Sequence, residues 1–122
     1  MTKRIADGLG MAAVAAWQAG GASREETATA VRWTLQLLAE RAPGRSVEVR
    51  VPPFGAVQAV EGPGHTRGTP PNVVEMAADT WLALATGLRG WDEALAEGSV
   101  SASGTRAELT AFLPLHRGRM AR

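Results

Sequence analysis

The chain has 122 residues, enough for one domain with one real hydrophobic core. Its 45% apolar and 20% charged residues are ordinary globular values, and a net charge of +1 leaves nucleic-acid binding without an electrostatic footprint. The absence of cysteine excludes disulfides, thiolate metal sites and a cysteine nucleophile.

No apolar run approaches the roughly 18–20 residues a membrane span needs. The start of the chain pairs basic residues with an alanine-rich stretch, but Asp7, Gly8 and Gly10 interrupt it and Trp17-Gln18 stands where small residues would precede cleavage. The segment reads as a helix, with Asp7 as its N-cap, Gly20-Gly21 as its end, and Ile5, Leu9, Ala12 and Ala16 as its apolar stripe. Gly8 and Gly10 weaken its first turn. The expected compartment is the cytoplasm.

The second helix carries the clearest local signal, a capping box of Ser23 and Glu26. Ala28, Val31, Leu35 and Leu38 form one stripe and Ala30, Trp33 and Leu37 another, so the helix needs two neighbours, the first helix and a sheet. Pro43-Gly44 closes it. In Ser46–Val51, Val47, Val49 and Val51 alternate with Ser46, Glu48 and Arg50, the pattern of an antiparallel strand with one wet face. Pro52-Pro53 imply a kink or an edge. A second strand follows from Phe54, a third spans Asn72–Met76, and a fourth spans Ser99–Ser103.

Between the third and fourth strands, DTWLALATG closes on Gly87 and WDEALAEG closes on Gly98. A last helix is expected from Thr105, carrying Phe112, Leu113 and Leu115. Residues 1–42 thus read as a helical pair, 46–115 as sheet and short helices, and 116–122 as a disordered basic tail, in one domain of 1–122. The fold class is α+β, with helices on one face of a mixed, mostly antiparallel sheet.

The candidates for chemistry are few. His65 and His116 are the only histidines, far apart and without metal-helix spacing, so no metal and no cofactor are expected. Ser99, Ser101 and Ser103 alternate on a wet strand face, and no G-x-S-x-G elbow occurs. An enzyme is therefore not expected. The loop GPGHTRGTPPN holds His65, Thr66, Arg67, Thr69 and Asn72, and reads either as a rigid turn or as a polar lip over a site, with Arg67 able to fork a carboxylate. Trp81, Leu84, Leu88, Trp91, Leu95 and Phe112 form an apolar set that fills a core or lines a cavity.

The order strand, helix closing on Gly-Leu, helix ending in glycine, and alternating strand closed by Ser-Gly resembles the sterol carrier protein family, above all its small bacterial branch. The likeness covers Ser46 to Leu115 and includes PPFGAVQAVEGPGHTRGTPPNVVE. It implies a sterol-carrier-like fold behind two N-terminal helices, with non-catalytic binding of a fatty acid or other acyl lipid. The walls would be Trp81, Leu84, Leu88, Trp91, Leu95 and Phe112, and Arg67 or Arg50 would meet the acid group. A related family joins such a domain to a histidine-rich, metal-binding helical domain for a mycothiol-dependent isomerisation; the N-terminal helices here hold no histidine, so that activity is not implied. The alternative is an accessory interaction module or homodimer with a filled core, in which Trp17 and Trp33 form the contact.

Overall fold

A computed structural model describes residues 3–62 and 72–117. Helices α1 (Asp7–Ala19) and α2 (Arg24–Arg41) precede strands β1 (Val47–Val51), β2 (Gly55–Ala59) and β3 (Asn72–Met76). Helices α3 (Ala78–Thr86) and α4 (Trp91–Ala96), strand β4 (Val100–Ser103) and a 3-10 turn (Thr110–Phe112) complete the order. The architecture is α+β, as the sequence predicts. The sheet order is β2-β1-β3-β4, with β1 parallel to β3 and the two outer pairs antiparallel.

The alternation of β1 sets the two faces. Val47, Val49 and Val51 are fully buried with Ala59, Val74 and Met76 beneath the helices. Glu48 and Arg50 point the other way; their register partners Gln58, Ala56, Val73 and Glu75 continue that outward face. Pro52-Pro53 do not break a strand but turn the β1–β2 hairpin, closed by Phe54 N–H donating to Val51 O at 2.9 Å.

Helix α2 has the expected cap. Ser23 Oγ accepts from Glu26 N–H at 3.0 Å while Glu26 Oε1 accepts from Ser23 N–H at 2.8 Å. Both of its apolar stripes find neighbours, α1 on one side and the sheet and α3 on the other, and Ala28, Ala30, Val31, Trp33, Leu35 and Leu38 are buried. The helix pair is layered: α2 packs on β2, and α1 packs on α2.

Helix α1 departs from expectation. Ala6, not Asp7, occupies the N-cap position, and the buried face is Gly10, Ala13 and Val14, whereas Leu9 is 66% exposed. Gly10 decides this. A Cβ there would overlap the indole of Trp33, so the backbone of α1 rests directly on that ring. Asp7 instead accepts from Trp33 Nε1–H at 3.1 Å and from Arg4 at 3.1 Å. The Trp33 N–H first, and the Arg4 guanidinium second, hold the Asp7 carboxyl below its ordinary range. Arg4 also pairs with Glu40 and holds that carboxyl low.

The final helix expected from Thr105 does not form; Thr105-Arg106 make a turn and the 3-10 turn follows. Asn72 explains the divergence. Its buried side chain donates to Ser46 O at 2.7 Å and accepts from Arg106 N–H at 2.9 Å, tying the segment to the start of β3. Asn72 is thus a clamp inside the fold, not part of a polar lip.

A candidate groove at the α3–α4 turn

Six consecutive residues of α3, Trp81 to Thr86, are buried. Trp81 lies between α2 and α3, its Nε1–H donating to Thr34 Oγ1 at 2.7 Å, while that hydroxyl donates on to Ala30 O at 2.7 Å. The indole is fully buried with its one polar atom satisfied, so it fills the core.

The helix stops at Gly87, whose left-handed conformation (φ 83°, ψ 9°) turns the chain so that Leu88 N–H and Arg89 N–H both donate to Ala83 O. That turn throws Leu88 outward, 54% exposed. Gly90 then opens α4, and Trp91 returns to the interior.

The last residues form a strap across the end of α3. Leu115 N–H and His116 N–H both donate to Ala85 O, at 2.7 and 3.0 Å, satisfying a carbonyl the helix end leaves open. The Arg41 guanidinium donates to the carbonyls of Phe112, Pro114 and Leu115 at 3.3, 2.9 and 3.3 Å. Gln18 donates to Arg117 O at 3.1 Å, and the Trp33 and His116 rings meet edge to face at 5.1 Å. His116 and Arg117 are therefore held in the fold, contrary to the reading of a disordered tail from 116; residues 118–122 lie outside the described residues.

Between turn and strap runs a groove of about 300 Å³. Leu84, Leu88, Trp91, Leu113 and Pro114 give it apolar walls, and Arg89 and Arg117 give it two cations without an acidic side chain in the lining. Arg89 pairs with Glu97 outside the lining. Arg117 reaches across Gly87, where a Cβ would sit 2.8 Å from its Nη1; glycine is needed there for both the turn and this approach.

The expected site residues divide. Leu84, Leu88 and Trp91 come together in the groove. Trp81 is buried behind it, Leu95 is 42% exposed on α4, and Phe112 is half-buried against the core. Arg50 lies on the outward sheet face between Glu48 at 3.1 Å and Glu75 at 4.0 Å, away from the apolar set. Arg67 and His65 lie outside the described residues. Trp33 is 2% exposed, so it offers no contact surface, and half-buried Trp17 donates to Asp79 at 2.9 Å. Sequence patterning points to neither Arg89 nor Arg117: the first sits in the GLRG turn beside Leu88, the second in a stretch without periodicity. Among the described residues, no three His, Cys, Asp or Glu side chains gather in a way that would hold a metal ion, and no helix is long and apolar enough to cross a membrane.

A family described as Bacterial SCP ortholog matches residues 23–115, from the cap of α2 to the strap. The chain belongs to this bacterial sterol-carrier-protein-like family. The match takes in both walls of the groove apart from Arg117, while α1 precedes it. Comparison with curated proteins gives no match.

Proposed function

We propose that the protein binds, without catalysis, a hydrophobic small molecule with an acidic end, a fatty acid or other acyl lipid, in the groove between the α3–α4 turn and the strap. The observation that carries this reading is the pairing of apolar walls with two arginines and no lining carboxylate. Family membership supports the same class of ligand. Burying a methylene contributes about 0.8 kcal/mol, and association costs at least about 4 kcal/mol in lost freedom. A short buried chain therefore does little more than offset that cost, and the arginine contacts to the acid supply the surplus.

Titration of delipidated protein with decanoate, followed by tryptophan emission, tests this. Trp91 lines the groove and Trp81 does not, so the expected result is a saturable shift that disappears in Trp91→Phe. A flat titration of folded protein overturns the proposal. A second reading, an accessory module that self-associates, draws on Leu9 and Met11, which are 66% and 45% exposed on α1. It predicts a mass that rises with concentration in sedimentation, independent of any acyl ligand.

A further inference from the structure

A second groove, of about 470 Å³, lies between the N-terminal segment, α2 and β2. Ile5, Phe54, Ala56 and Val57 are its accessible apolar residues over buried Leu35, and Lys3 and Arg32 are its charged ones. We infer that this groove is a separate binding site for an amphiphile with a single anionic head, the head held by Arg32 and Lys3 and the chain laid over Ile5, Phe54 and Val57.

The walls are built for it. Gln36 grips the backbone of Ile5 from both sides, accepting from its N–H at 2.9 Å and donating to its carbonyl at 2.9 Å, which fixes the N-terminal wall against α2. Arg32 is held by one atom, Nε donating to Phe54 O at 2.8 Å. Its two terminal nitrogens form no hydrogen bond or ion pair among the described residues, and a planar fork with both outer nitrogens unengaged is the geometry that receives a carboxylate or phosphate. Arg24, 5.2 Å from the centre of the Phe54 ring, adds positive charge at the same end.

Charge separates this groove from its neighbours. The one between α1 and α2 is lined by Glu25 and Glu26, and the one on the outward sheet face by Glu48 and Glu75 around Arg50; both would repel an anionic head. Lys3 and Ile5 precede the family-matched stretch of 23–115.

The test is an amide-resolved NMR titration of the full chain with decanoate, decyl phosphate and decanol, each below its aggregation concentration. Saturable shifts at Ile5 and at Phe54 to Val57 with either anion support the site, and the tighter anion assigns the head group. Decanol, and Arg32→Gln with the anion, should bind roughly tenfold more weakly, the scale of a lost charge-assisted contact. Lys3→Gln, with no side-chain bond among the described residues to disturb, should weaken binding by a smaller factor. No saturable shift at those amides, or unchanged affinity in both variants, overturns the inference. Shifts confined to Leu88–Trp91 also overturn it and leave the α3–α4 groove standing; shifts confined to Ile5 and Phe54–Val57 do the reverse.

Discussion

Trp81 lies in the second half-turn of one short helix and Trp91 opens the next, and each has a leucine about a turn further on, yet the two helices meet different surroundings. Trp81, Leu82 and Leu84 are all buried, whereas on α4 only Trp91 and Ala94 are, and Leu95 is exposed with Leu88 before it. The difference lies in what covers each helix. Helix α3 is covered by α2 through Trp81 and Thr34, and by the strap through Ala85. Even its buried Thr86 hydroxyl is satisfied within the helix, donating to Leu82 O at 2.7 Å. Helix α4 is six residues long and rests on one stripe, so the turn that leads into it keeps its leucine in water. Similar residues thus serve as filler at one end of the α3–α4 turn and as groove wall at the other.

Trp81→Ala probes the filled end, and there the largest effect is expected. Removing a buried indole costs about 3–5 kcal/mol, and chemical denaturation reads it directly. A cost below about 1 kcal/mol would show that the interior is not the packed region described.

The α1–α2 contact gives the next largest effect. Gly10→Ala should destabilise by about 1–3 kcal/mol because its methyl meets the Trp33 ring, even though alanine is the better helix former. Gly8→Ala, two residues away with nothing within 4 Å of the new methyl, should be neutral or stabilising by up to about 1 kcal/mol. Equal effects at the two positions would contradict the docking of α1 through Gly10.

The same contact is pH-sensitive. The folded Asp7 carboxyl is held below its unfolded value, so its contribution is fully present above the ordinary aspartate range, around pH ~3.9, and is lost as pH falls through the lower, folded value. The Trp33 indole N–H resonance should hold steady down to that range and move below it.

Local chemistry made much of this fold legible. The Ser23–Glu26 box, the valine alternation of β1, the limits of β3 and the glycine end of α3 all depend on residues within a few positions of one another. What depends on distant partners did not show. Nothing around Gly10 reveals that its neighbour is Trp33, and an alanine-rich helix has no strong stripe to name its buried face. The strap's sequence reads as helix and tail because the residues that hold it, Asn72, Arg41 and Gln18, are far away in the chain. Of the residues that line the candidate groove, Leu84, Leu88 and Trp91 are legible in the sequence as part of an apolar set. The resemblance points to Arg50 for the acid group, although the alternation that buries Val49 already turns Arg50 outward beside Glu48. The cations that line the groove, Arg89 and Arg117, depend on the Gly87 turn and on the strap's return to α3.

The smallest expected change in stability tests the other end of the comparison. Leu88 is 54% exposed in the free protein, so Leu88→Ser removes little buried surface and should shift stability by no more than about 0.5 kcal/mol. If the groove takes an acyl chain, however, the bound chain covers that leucine. Fully burying a leucine side chain contributes about 1.5–3 kcal/mol, and the part still exposed here accounts for roughly half of it, so decanoate should bind several-fold to roughly tenfold more weakly. Leu95→Ser serves as the control, since Leu95 is similarly exposed on α4 but does not line the groove; its affinity should match that of the unaltered chain. Titration of Trp91 emission in the three proteins separates the cases. Weakening in Leu88→Ser alone places the chain against the turn. Equal weakening in both variants means that binding depends on general surface hydrophobicity, and no weakening in either means that the acyl chain lies elsewhere.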